Sequence, residues 1–289
     1  IPSLQVELLA IGNLESADAL QLAAEVPAAL QLGQPSAVDL TALPRHPELR
    51  VVSIPQGSTT IWVEDSPDKG NRNVAVELYW QLGPAKDAKS RVVADLLDSL
   101  MNEPLFDALR TKQQLGYVAS CGSRLSMQVS GFSIWLMSAR APPAEICRRV
   151  EAFLTSFRQQ MVDEASKFEE HVCSLAAQKL EPARTLSSVQ ERAWHELTER
   201  QYVFDRNIQE AEALASVTLD DVVQVLDRIV GPAGSPQRAG LLICAVIGGK
   251  AKTTASAEVS SISKDYSDAR VVESKEDFLQ NMELLECLV

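Results

Sequence analysis

The sequence predicts an α+β fold in which helices cover a mainly antiparallel sheet. Three observations carry that expectation. Strand-like segments crowd the stretch from Arg50 to Ser138, and helix-period segments fill Ala144 to Ile229. A single apolar strand, Gly240 to Ile247, then returns to the sheet.

Taken in order, Leu4 to Ala10 reads as a short buried strand turned by Gly12-Asn13. Ser16 can cap a helix reaching about Leu32, with Leu20, Leu22, Ala23 and Val26 apolar and Pro27 bending or ending it early. Three prolines make Gln34 to Pro47 a linker. One strand and one helix bury too little surface for a core, so residues 1–49 read as the end of a preceding repeat. Residues 50–250 form the complete unit. Val51–Pro55 and Thr60–Glu64 are strand-like around a turn at Gln56-Gly57-Ser58. Val74, Val76, Leu78, Trp80 and Leu82 alternate with Ala75, Glu77, Tyr79 and Gln81, a strand with one covered face. Val92 to Met101 follow at helical spacing, interrupted around Pro104, and a second piece runs from Leu105 to about Gln113. Tyr117–Ser123 and Gln128–Ser138 read as antiparallel strands. After Pro142-Pro143 come helices over Ala144–Gln160, Asp163–Lys179, Thr185–Arg200, Asp205–Ala215 and Leu219–Ile229, the last opened by a Thr218/Asp221 capping box. Residues 251–289 read as a flexible polar tail whose apolar end, from Phe278, docks back on the body.

The net charge of −12 argues against nucleic acid, whose phosphates it would repel. No apolar run reaches the length of a membrane span. The five cysteines are odd in number and form no C-x-x-C, so free thiols in a cytosolic or other reducing compartment are expected. The chain opens Ile1-Pro2-Ser3 without Met, which reads as a fragment or a processed chain with any targeting sequence out of view.

The most informative stretch is Leu109-Arg110-Thr111-Lys112-Gln113-Gln114-Leu115-Gly116-Tyr117-Val118, where a helix gives way to a strand. Taken alone, an arginine late in a helix complements the helix dipole and a tyrosine opening a strand packs on its neighbours. Gly116 at the junction allows a positive φ or the close approach of another backbone.

Glu103-Pro104-x-Phe106-x-x-Leu109-Arg110-Thr111-Lys112-Gln113-Gln114-Leu115-Gly116-Tyr117 resembles a signature of the fourth domain of the insulysin/pitrilysin family of zinc peptidases, with Gln113 for the usual Glu. The similarity continues at Arg149 to Leu154, at Trp194, and at Gln201-Tyr202-x-Phe204-Asp205-Arg206, while Leu9-x-x-Gly12-Asn13 is similar to the end of the third domain. The resemblance implies a metallopeptidase-repeat (processing-peptidase-like) fold. It also implies that Arg110 holds the substrate backbone, that Tyr117 stabilises the oxyanion, and that Gly116 lines the same substrate site.

The family's zinc motif, H-x-x-E-H plus a later glutamate, is not found here. The histidines are His46, His171 and His195. In Lys167-Phe168-Glu169-Glu170-His171 a lysine stands where the first ligand belongs, and His195-Glu196-Leu197-Thr198-Glu199 lacks the second His. Gly248-Gly249-Lys250 fails as a phosphate loop, since Cys244 replaces its first glycine and Ala251 follows the lysine. The polyanion cluster of some family members is reduced to Lys179 and Arg184 against Glu181. The resemblance therefore implies the non-catalytic, substrate-binding C-terminal portion of a zinc metalloendopeptidase that encloses peptides in a chamber. No metal is expected in this chain; zinc would sit in an N-terminal half of the same peptidase, the expected partner besides peptide substrates, and homo-oligomerisation stays open. The alternative is a catalytically silent scaffold or subunit of the same fold. A third reading, a free-standing peptide-binding module, needs an exposed sheet edge.

Overall fold

The computed structural model describes residues 7–29, 51–85, 87–199, 201–232, 234–266, 269–280 and 283–285. In chain order the elements are α1 (Ser16–Ala29), β1 (Val51–Val52), β2 (Thr59–Asp65), β3 (Val74–Pro84) and α2 (Ala88–Leu105). A π-helical segment (Phe106–Lys112) leads to β4 (Val118–Ser126), β5 (Val129–Ser138), α3 (Pro143–Asp163) and α4 (Phe168–Lys179). Then come α5 (Leu186–Thr198), α6 (Arg206–Leu214), α7 (Leu219–Val230), β6 (Gly240–Ile247), α8 (Ala255–Asp265), β7 (Arg270–Val272), α9 (Lys275–Gln280) and β8 (Leu284–Leu285).

These elements fall into two compact units, one drawn from residues 1–49 and 181–206, the other from 50–180 and 207–288. In the smaller unit α1 buries no residue, and α5 is N-capped by Thr185, whose hydroxyl accepts from the Ser188 amide at 3.1 Å. Buried Glu196 holds it together by accepting from Arg206 Nη2 at 2.8 Å and from the Val203 amide at 3.1 Å. The strand expected over Leu4–Ala10 fails in its described part: residues 7–10 are irregular and Leu8 is exposed. Among the described residues no strand lies beside it to take up its backbone groups. Pro27 lies inside α1, and the linker Gln34–Pro47, His46 and Cys287 fall outside the described residues.

The larger unit is a six-stranded sheet in the order β4-β5-β3-β6-β2-β7. β4, β5, β3 and β6 pair antiparallel in turn, while β2 runs parallel to both β6 and β7. The register aligns Ile134, Leu78 and Ile243 across three strands, and likewise Phe132, Trp80 and Leu241, all of them fully buried. This face carries α2, α3, α7 and α8. The opposite face of the central strands keeps Glu77, Tyr79 and Trp135 only half-buried, the two-sided pattern of an antiparallel sheet.

Three expectations need correction. The turn at Gln56–Ser58 is present, but the strand expected over Val51–Pro55 shrinks to Val51–Val52 and does not pair with the next: Gly57 (φ 76°) donates to the Arg238 carbonyl at 2.9 Å, β1 pairs with β8, and β2 pairs with β6 and β7. Pro104 does not interrupt α2. The helix runs on to Leu105 and then widens into the π form, with the Gln113 amide reaching back to the Ala108 carbonyl at 3.1 Å. The described residues between 251 and 285 are not an unpacked tail. Thr254 caps α8, and Ile262, Tyr266 and Val272 are buried in the core. The helical spacing of Val259, Ile262 and Tyr266 carries that burial despite the polar composition around them. Further on, Phe278 stacks on Trp62 with ring centroids 6.5 Å apart.

Candidate functional site

Arg110 and Tyr117 meet at the end of the sheet where β3 and β4 begin and β5 ends. Two features build the crossing from helix to strand. Buried Leu109 anchors the π-helical segment while Arg110 is exposed, its guanidinium 4.8 Å above the Phe106 ring. The chain then reverses through Gln114, at a φ of 51°, and Leu115 returns to the core with its amide on the Leu109 carbonyl at 2.9 Å.

Gly116 passes so close to β5 that an added Cβ would stand 2.2 Å from the Met137 carbonyl oxygen. The close approach expected of this glycine is therefore what the structure contains, although its φ is not positive. That approach lets the Tyr117 amide donate to the same carbonyl at 3.2 Å. Ser138 secures the other side. Its hydroxyl donates to the Leu115 carbonyl at 2.6 Å and accepts from the amides of Arg140 at 3.1 Å and Ala141 at 3.0 Å.

The two predicted side chains are brought together. Arg110 Nε donates to the Tyr117 carbonyl at 3.3 Å. Tyr117 is 55% exposed, its hydroxyl donates to the Met137 thioether, and the Asn73 side-chain amide donates to that hydroxyl at 3.4 Å. Arg110, Gln114, Gly116, Tyr117, Ala139 and Arg140 line an open recess of about 510 Å³. Asn73, Met137 and Arg140 are additions that sequence reasoning missed. Met137 lies in β5, Asn73 just before β3 and Arg140 just after β5, and only the strand register Val118↔Met137 and Val74↔Ser138 puts them here. Gln113, the departure from the family signature, accepts from Arg149 Nη1 at 3.1 Å and so ties the end of the π-helical segment to α3.

The zinc implied by the family finds no donor set among the described residues. Among the described residues no three His, Cys, Asp or Glu side chains converge on a common point. Lys167, in the place of the first ligand, is ion-paired with Glu164 at 2.6 Å, and His195 lies in the smaller unit. The described residues do not fit the metal. Burial pushes the thiols of Cys121 and Cys147 well above their ordinary range and that of Cys244 up to about 12, so none supplies a thiolate at neutral pH.

Comparison with known proteins relates this chain to a peptidase family. The family model described as PQQ synthase PqqF-like, C-terminal lobe domain 4, matches residues 96–194, which include the whole crossing from α2 to β4. A nardilysin-like protein of Arabidopsis thaliana is 34% identical over 184 residues, covering 62% of this chain and 18% of the relative. Human insulin-degrading enzyme is 30% identical over 155 residues, covering 53% of this chain and 15% of the enzyme. The chain thus spans less than a fifth of the length of these curated relatives. The crystal structure of pitrilysin superposes with a TM-score of 0.73 over 96% of this chain and 27% of that one, at 17% identity, a likeness of fold alone.

Proposed function

The chain belongs to the insulysin/pitrilysin family of peptidases, to whose C-terminal lobe it corresponds, and from that premise we propose that it is the substrate-handling portion of a zinc metalloendopeptidase that degrades peptides in an enclosed chamber. Hydrolysis by this chain alone forms no part of the reading. The observation that carries it is the joint presentation of Arg110 and Tyr117 on one recess, from a junction fixed by Gly116 and Ser138.

The chemistry follows from what each group has left to offer. Arg110 spends Nε on the Tyr117 carbonyl and stacks on Phe106, and its terminal nitrogens make no hydrogen bond among the described residues. That end of the fork is suited to a peptide carbonyl of the substrate backbone. The Tyr117 hydroxyl rests on a thioether, a weak acceptor. A substrate oxygen gaining negative charge as its carbonyl is attacked outcompetes that sulfur, so the hydroxyl swings to it at little cost. Stabilisation of this kind grows as charge develops and therefore accelerates the reaction rather than only tightening binding. Zinc and the general base belong, in this reading, to an N-terminal half.

Reconstitution tests the proposal. This chain is mixed with an H-x-x-E-H-bearing half of the same peptidase, and cleavage of a fluorogenic peptide is followed. Tyr117→Phe is expected to lower kcat roughly a hundredfold, matching the loss of one oxyanion donor of about 3 kcal/mol, with a small change in KM. An active pair indifferent to that substitution would remove the oxyanion role. A pair that assembles without activity would favour the scaffold reading.

A further inference from the structure

We infer that Arg140, together with Arg110, forms a subsite for a carboxylate of the bound peptide, so that this recess selects a substrate with an acidic side chain or chain end beside the site of handling. The inference rests on the peptide-handling reading above and names a preference within it.

The argument begins with charge balance. Acidic residues outnumber basic ones by 39 to 27, and most arginines of the described residues are already neutralised by them. Arg91 pairs with Glu210, Arg158 with Asp227, Arg206 with Glu196 and Arg148 with Asp265. Arg110 and Arg140 are exceptions. Neither has a carboxylate within ion-pair distance among the described residues, and both line the same recess. None of the described residues lining it is acidic.

Two unneutralised guanidinium groups on one concave surface create a positive field where the rest of the chain is negative. A carboxylate is the natural complement, because its two oxygens match the fork of an arginine. Arg140 is also well positioned to keep its place. Its backbone amide is tied to the Ser138 hydroxyl, the same group that holds the Leu115 carbonyl and so the crossing that carries Tyr117. The charge and the backbone-binding groups are thus fixed to one frame.

Fluorescence anisotropy on this chain provides the test, with labelled decapeptides identical except for a single Glu or Gln walked along the sequence. Each is made with a free or an amidated C-terminus, which separates a side-chain carboxylate from a chain end. At one register, or at the chain end, the carboxylate form is expected to bind roughly five- to tenfold more tightly, the scale of one or two partly exposed ion pairs. Arg140→Gln should bring that ratio to about one, and Arg140→Lys should restore part of it. A merely structural role for Arg140 would instead weaken Glu and Gln peptides alike, which overturns the inference. Binding of both series without preference overturns it too and leaves peptide handling intact. Failure of the chain to bind either series removes both readings.

Discussion

An added methyl at Gly116 would stand 2.2 Å from the Met137 carbonyl oxygen, and backbone lies on both sides of that contact. Neither partner is a flexible side-chain end, so Gly116→Ala must push β5 away from the crossing. The expected destabilisation is about 1–3 kcal/mol, the usual cost of overpacking, read from chemical denaturation. Because the amide of Tyr117 bonds to the same carbonyl, the phenol should move with the backbone. Peptide affinity of Gly116→Ala should therefore fall even at temperatures where the protein remains folded; unchanged affinity in a destabilised protein would show that the junction does not position Tyr117. The glycine itself was legible in the sequence, because a glycine between a helix and a strand permits a close backbone approach. Its partner was not. Met137 comes into register only through the β4–β5 hairpin, whose turn residues Met127 and Gln128 sit at φ 45° and 65°. Turns of that kind usually advertise themselves with Asn-Gly or Asp-Gly, and these residues do not.

Helices were the most legible elements, since their caps and apolar spacing are local properties. The Thr218/Asp221 box is present as read: the Asp221 amide donates to the Thr218 hydroxyl at 3.3 Å, and the Thr218 amide donates to Asp221 Oδ2 at 2.8 Å. Thr218→Ala should cost about 1 kcal/mol. The backbone hydrogen bond from Thr218 and, further down, the Lys89 ion pair hold the Asp221 carboxyl below its ordinary value of 3.8. A depressed folded-state value contributes stability above the unfolded one and loses it as pH falls through the folded one. Asp221→Asn should thus be less stable than the parent at pH 7, and acid denaturation curves of the two should converge below pH 3.8. A gap that persists in acid would place the effect elsewhere than in the carboxylate. What local pattern could not give was contact between helices. Lys179 of α4 lies 2.7 Å from Asp95 of α2 and 2.8 Å from Glu210 of α6, which also pairs with Arg91 at 2.9 Å. The cluster is largely sheltered, with the Lys179 and Glu210 side chains 15% and 9% exposed. Lys179→Met leaves Asp95 without its cation there, and a loss of about 3 kcal/mol is expected in urea unfolding. The widening of α2 into a π-helical segment was equally hidden, because Pro104 signals a break by its missing amide and says nothing of a helix that continues beyond it.

At the scale of the whole molecule, composition misled where burial is sparse but decisive. Residues 251–289 are rich in Ser and Glu, and a tail of that composition usually has too little to bury. Here a few side chains suffice, because they enter a core that already exists. Ile262 and Val272 are buried, each contributing about 1.5–3 kcal/mol. Buried Tyr266 adds a hydrogen bond to Glu151 at 2.6 Å. Glu258, also buried, serves the helix across from it: α3 has no side-chain cap of its own at Pro142, and Glu258 Oε2 accepts from the Ala144 amide at 3.0 Å. β7 meanwhile extends the sheet beside β2, which would otherwise present an open edge. The sum is several kcal/mol against a net domain stability of about 5–15 kcal/mol. Ending the chain after Gly249 should therefore lower Tm by roughly 10 °C or more and expose apolar surface to a reporter dye. Glu258→Ala in the full chain should lose a smaller share, about 1–2 kcal/mol, by uncapping α3 alone. If the shortened chain instead melts within about 2 °C of the parent, the segment contributes little, and the core defined by β3, β5 and β6 is stable without α8 and β7.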